Sequence, residues 1–147
     1  MAWFFGRYDH TIDAKGRVVL PAKYRPSFEH GGYLTAFEEG CLGLWTVEDF
    51  EERKLQMKEQ SRRSRDGRNL ARLWSSETYE LEMDRQGRLV IPSSLRSYAE
   101  LQSDVVVVGA MERVEFWSPG RWAEKVQPQE RRLTEGTEGE YEQEQDR

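Results

Sequence analysis

Apolar and acidic residues alternate strictly in Tyr79-Glu-Leu-Glu-Met83, which predicts a strand with one buried face. A looser alternation precedes Asp13 and predicts the same element there. Each of these segments runs into Asp-x-x-Gly-Arg, a turn signal. The aspartate can bond backbone two residues on, and the glycine supplies a positive φ. A short apolar strand follows (Val18–Leu20, Leu89–Ile91), and Pro21 or Pro92 then opens a brief helical turn. A second strand pair comes next: Tyr33–Phe37 with Leu42–Trp45, and Val105–Val108 with Val114–Trp117. Two helix starts close the pattern. Thr46-Val-Glu-Asp49 reads as a capping box with Asp in place of Glu, and Ser118-Pro119 as an N-cap with proline at the first helical position. The first helix is expected to run on into a connector, where Leu70, Leu73 and Trp74 are spaced for a short helix.

The pattern occurs twice because the chain repeats itself. Residues 12–25 align with residues 83–96 at an offset of 71, with six identities: Asp13/Asp84, Gly16/Gly87, Arg17/Arg88, Val19/Val90, Pro21/Pro92 and Arg25/Arg96. Tyr8 meets Tyr79 at the same offset. Further on the offset is 72, where Trp45 meets Trp117 and Phe50 meets Trp122. A unit of about four short strands has too small a core to stand alone. Two copies can intertwine and share one core, which predicts a body with a pseudo-twofold axis. The expected organisation is a first unit over 3–54, a basic helical connector over 55–76, a second unit over 77–126 and an acidic, disordered tail over 127–147.

Charge sharpens that division. The 147 residues carry a formal net charge of −5, with 33% charged and 37% hydrophobic residues. Seven acids against three arginines after position 126 give the tail −4. Between Glu51 and Arg72, eight bases face four acids, giving +4. Segregation of this kind leaves a nucleic-acid partner open despite an acidic total. There is no apolar run near 18 residues, so no membrane span is expected, and no signal peptide is expected. The single cysteine, Cys41, excludes an internal disulfide and a cysteine-based zinc cluster. His10, His30 and Cys41 lack metal-ligand spacing, and no nucleophile set, Walker loop or dinucleotide fingerprint is present. The expectation is no enzyme, no cofactor and no metal.

Asp13-Ala-Lys-Gly-Arg-Val-Val-Leu-Pro-Ala-Lys-Tyr-Arg25 and Asp84-x-x-Gly-Arg88-x-x-Ile-Pro92 resemble the AbrB-like (SpoVT-AbrB) swapped-hairpin DNA-binding family. The doubled arrangement, over about residues 3 to 126, is similar to the MraZ family, regulators of the bacterial division and cell-wall gene cluster. One such motif is weak, but two at this spacing are specific. The resemblance implies an α+β, β-rich fold: two intertwined swapped-hairpin units forming a pseudo-twofold small barrel with peripheral short helices. It implies a sequence-specific regulator that binds double-stranded DNA at short repeated promoter boxes. It further implies a closed homo-oligomeric ring (octamer or dodecamer), cytoplasmic and nucleoid-associated, with no membrane partner.

On that reading Asp13, Gly16, Asp84 and Gly87 build the turns. Arg17 and Arg88 either pair with those aspartates or are delivered to phosphates and guanine edges, which a planar fork suits. Lys15 sits at one turn tip without a local partner, while Arg85 and Gln86 stand at the other. Lys23 and Arg25 are candidate phosphate contacts. Trp3, Phe4 and Phe5 fold back on the core or form a subunit interface, and the resemblance favours the interface. The rival is a ring-forming protein scaffold whose DNA contact is incidental.

Overall fold

A computed structural model describes residues 1–136. Eight strands and three main helices follow in order: β1 (Arg7–Thr11), β2 (Arg17–Val19), β3 (Gly32–Ala36), β4 (Leu42–Thr46), α1 (Val47–Arg63), α2 (Arg65–Ser76), β5 (Thr78–Leu81), β6 (Arg88–Val90), α3 (Ser93–Tyr98), β7 (Asp104–Gly109) and β8 (Val114–Trp117). The fold is α+β, with antiparallel pairing throughout these strands.

Six strands form one sheet in the order β1-β7-β8-β4-β3-β5, and β2 with β6 forms a separate ribbon. Exchanging the two halves of the chain reverses that order and leaves it otherwise unchanged. Strands of one half pair with strands of the other at three places in the sheet and again in the ribbon. Two of these pairings join equivalent residues: Val18 opposes Leu89 in the ribbon, and Gly43 opposes Glu115 in the sheet. A pseudo-twofold axis therefore passes through both points.

The ribbon lies over one face of the sheet. Val18, Leu89, Leu20 and Ile91 join Leu34, Leu42, Leu44, Val105, Val107, Val114 and Phe116 in a single buried cluster. Burying each such side chain contributes about 1.5–3 kcal/mol. The opposite face is aromatic. Phe50 stacks between Tyr33 and Trp74, with centroids 4.3 and 5.5 Å away. On the other half, Trp117 meets Trp122 edge-on at 5.7 Å. Both helix starts are capped: Thr46 accepts from Asp49 N at 3.1 Å, and Ser118 accepts from Arg121 N at 3.2 Å.

Two expectations need correction. The strands do not close into a barrel. The six-stranded sheet is open, with β1 and β5 at its edges, and no ladder joins it to the ribbon. The ribbon strands are three residues long, fixed at one end by the turn and cut off soon after the other by Pro21 or Pro92, which have no N–H to extend a ladder. The helices are also not all short. α1 runs for 17 residues across position 54/55, and α2 runs for 12. Only Ser64 separates them; its hydroxyl caps α2 by accepting from Gly67 N at 2.9 Å.

The N-terminal aromatics divide. Phe4 is 2% exposed in the core, whereas Trp3 and Phe5 are 56% and 59% exposed. Alternation along an extended segment sends neighbours to opposite sides. Of the expected tail, short exposed helical turns occupy Gln127–Gln129 and Glu130–Glu135, and residues 137–147 lie outside the described residues. Among the described residues, no helix is long and apolar enough to cross a membrane.

Candidate nucleic-acid interface

The two Asp-x-x-Gly-Arg turns are copies of one another in atomic detail. Asp13 Oδ1 accepts from Lys15 N at 3.0 Å and Arg17 N at 2.9 Å, and Arg17 Nε donates to Asp13 Oδ2 at 2.6 Å. In the second turn Asp84 Oδ1 accepts from Gln86 N and Arg88 N, both at 2.9 Å, and Arg88 Nε donates to Asp84 Oδ2 at 2.8 Å. Gly16 and Gly87 hold φ of 80° and 77°, a region other residues reach only under strain. Backbone N–H donation, first from Arg17 to Asp13 and from Arg88 to Asp84, holds both carboxyls below the ordinary aspartate value.

Of the two readings of Arg17 and Arg88, the geometry shows the pairing with the turn aspartates. Nε is committed to the aspartate, while the terminal guanidinium nitrogens have no partner among the described residues. Each arginine is thus clamped through one nitrogen with the rest of its fork available. The side chains are 28% and 26% exposed.

Ribbon pairing sets what surrounds them. Arg17 opposes Val90 and Val19 opposes Arg88. Val18 and Leu89 point inward, so the outer face carries Arg17, Val19, Arg88 and Val90 in a diagonal pattern about the axis. Val19 and Val90 are 36% and 51% exposed. Sequence reasoning missed these two valines, although the alternation Arg-Val-Val-Leu already placed them opposite the buried position.

The other predicted residues spread around the ribbon. Lys15 and Arg85 are exposed at the two turn tips, and antiparallel pairing puts these tips at opposite ends of the ribbon. Lys23 turns back onto protein, its Nζ 5.2 Å from the Tyr8 ring centroid and 5.9 Å from that of Tyr24. Tyr24 donates to Phe5 O, and burial pushes its hydroxyl up to about 12. Arg25 is half-buried, its Nε donating to Leu20 O at 2.9 Å. The structure therefore puts Arg17 and Arg88 on the outer face of the ribbon, leaves Lys15 and Arg85 exposed at its two opposite ends, and draws Lys23 and Arg25 toward the protein. The basic connector forms the tip of the α1–α2 hairpin, with Arg62, Arg65 and Arg68 exposed there.

Among the described residues no group of three or more His, Cys, Asp or Glu side chains could hold a metal ion. Cys41 is buried against Glu38 O, and burial pushes its thiol up.

The family described as "MraZ protein, putative antitoxin-like" matches this chain at residues 3–73 and 75–142. The chain belongs to the MraZ family. Proteins named transcriptional regulator MraZ are similar to it over most of their length. That of Ligilactobacillus salivarius (strain UCC118) is 41% identical over 119 residues, covering 81% of this chain and 83% of its own. That of Moorella thermoacetica is 39% identical over 121 residues, covering 82% and 85%. That of Thermoanaerobacter sp. (strain X514) is 38% identical over 119 residues, covering 81% and 83%. Both turns lie inside the stretches matched to the MraZ family.

Proposed function

We infer that this chain is a sequence-specific DNA-binding transcriptional regulator that acts on short repeated boxes in a promoter, that of the division and cell-wall gene cluster. The observation that carries the reading is the outer face of the ribbon. It presents two arginines, each locked by its own aspartate, related by the pseudo-twofold axis and interleaved with two exposed valines. A two-stranded ribbon fits the major groove, where an arginine fork suits guanine edges and an apolar side chain suits a thymine methyl. The two arginines are diagonal neighbours, about 7–8 Å apart at Cα. That span covers only two or three base pairs, so one subunit reads a short box.

A short box binds weakly, so affinity must come from linkage. The family resemblance supports a closed homo-oligomeric ring, octamer or dodecamer, and exposed Trp3 and Phe5 beside Met111 offer an apolar contact for a second copy. Neighbouring subunits raise the effective concentration for the next box. DNA is nearly straight over a few helical turns, so only a subset of subunits engages at once. The reading places the protein in the cytoplasm with the nucleoid.

Fluorescence anisotropy with the duplex upstream of the gene, against a shuffled duplex over a salt series, tests this. Preference for the native duplex at physiological salt is the expected result, with a steep fall in affinity when boxes are removed or respaced. Equal affinities that vanish together as salt rises would leave only backbone attraction, and the protein-scaffold reading would take its place.

A further inference from the structure

Behind each turn lies an arginine from the other half of the chain. A Cβ built on Gly87 would stand 2.3 Å from Arg25 Nε and 2.6 Å from its Cζ. Built on Gly16, it would stand 3.0 Å from Arg96 Cζ and 3.3 Å from its Nε. Gly87 is therefore required twice, for its positive φ and for the space the guanidinium fills, whereas at Gly16 the positive φ decides and Arg96 packs in tight contact. Backbone bonds tie the same places together. Gly87 O accepts from Leu20 N at 2.8 Å, and Gly16 O accepts from Ile91 N at 2.8 Å. With Arg25 Nε on Leu20 O, a continuous path of bonds runs from the first half into the second turn.

We propose that Arg25 and Arg96 are positioning residues, each holding the DNA-reading turn of the opposite half, so that the two turns act as one rigid reader. The inference rests on the DNA reading above and says how its site is held. Neither arginine has a carboxylate within ion-pair distance among the described residues, so neither is placed by a salt bridge. What each touches is the turn of the other copy. The two braces are unequal. Arg25 combines packing with a hydrogen bond, whereas Arg96 Nε is buried without one. The second turn is thus held more firmly than the first, and loss of Arg25 has the larger consequence. Lysine cannot substitute, because an ammonium lacks the flat face and the fixed Nε direction that the packing uses.

The test uses the full chain with Arg25→Lys and Arg96→Lys, read by hydrogen–deuterium exchange without DNA and by anisotropy with the upstream duplex. For Arg25→Lys the expected result is exchange over 84–91 faster by about threefold or more. Specific affinity should fall about tenfold, while the salt slope stays the same because the charge count does. In double-mutant cycles Arg25→Lys should be non-additive with Arg88→Ala and additive with Arg17→Ala. Arg96→Lys should show the mirror pattern, smaller and over 13–20. Unchanged exchange over 84–91 overturns the proposal. So does native affinity in Arg25→Lys together with a salt slope lowered by about one in Arg25→Ala, which would make Arg25 a direct phosphate contact. If the native chain shows no preference for the upstream duplex, the DNA reading fails, while the exchange data still decide the brace.

Discussion

The pseudo-twofold axis leaves the molecule through two unlike poles. At the ribbon the halves match: Val18 faces Leu89, and the flanking turns repeat bond for bond within 0.2 Å (Nε to Oδ2, 2.6 and 2.8 Å). On the far side of the sheet they do not. Gly43 faces Glu115, and the two positions do opposite work. Over Gly43 lies the Trp45 ring. Glu115, 7% exposed, accepts from Trp117 Nε1 at 2.9 Å and from Arg113 Nε at 2.8 Å. Arg113 in turn stacks on Phe37, 4.3 Å from its centroid. A 17-residue helix leaves one half at this pole, and a short run of helical turns leaves the other. The halves differ most at the pole where Gly43 faces Glu115, while the Asp–Arg pairs of the two turns are alike.

Breaking the far pole should cost the most stability. In Gly43→Val the new Cβ would meet Trp45 Cζ3 at 2.4 Å and Cη2 at 2.5 Å. The ring must leave its site, at about 3 kcal/mol. Calorimetry should show the melting midpoint lower by roughly 10 °C, with DNA affinity of the folded protein little changed. Loss of specific binding without loss of stability would show that the poles are coupled. Glu115→Ala strands both Arg113 Nε and Trp117 Nε1, and should cost about 2–3 kcal/mol in the same measurement.

At the ribbon the order reverses. Arg17→Ala and Arg88→Ala should each lower affinity for the native duplex about tenfold and relax discrimination against the shuffled one. Their melting midpoints should move little, since exposed ion pairs contribute about 0–1 kcal/mol. The equality of the two losses is the sharpest check on the symmetry of this pole. A large loss from one and none from the other would mean that a single turn reads DNA.

Lys15→Gln gives the first tip the residue of the second. Affinity should fall by a few fold, and the salt slope by about one. An unchanged slope would remove Lys15 from the phosphate contacts.

The smallest effect concerns pH. Both turn carboxyls sit below the ordinary aspartate value of 3.8. A carboxyl lowered in the folded state stabilises it fully above the unfolded value, and that contribution is lost as pH falls through the folded one. Exchange over the turns should therefore stay flat from pH 7 down to about 4, once corrected for its intrinsic pH dependence, and rise only below that. Asp13→Asn and Asp84→Asn should abolish the rise. A transition near pH 6 would point to a different group.

Much of this was legible in the residues. The repeat located both turns, and the Asp–Gly–Arg spacing named the aspartate and glycine that build them. Thr46 and Ser118 announced their helices, because capping is a local interaction among residues a few positions apart. Arg25 was legible as a repeated residue, although not as a brace, because its partner Gly87 lies 62 positions away. The open sheet was hidden for a similar reason: each strand's length could be read, while the strand beside it could not. Phe4 could not be told from Trp3 and Phe5 by composition, since distant contacts, the bridge to Met111 and the rings of Tyr24 and Phe28, go with the one that turns inward.

Sequence alone determined the local geometry: turns, caps and strand alternation, each set by sterics and hydrogen bonds within a few residues. It also determined that the chain is doubled and where its charge lies. Tertiary structure decided which strands pair across the two halves. It thereby put Arg17, Val19, Arg88 and Val90 on one face, laid each arginine brace on the opposite turn, and set Gly43 against Glu115 at the far pole. Those outcomes depend on contacts between residues tens of positions apart, which no local preference encodes and which only burial of a shared core selects.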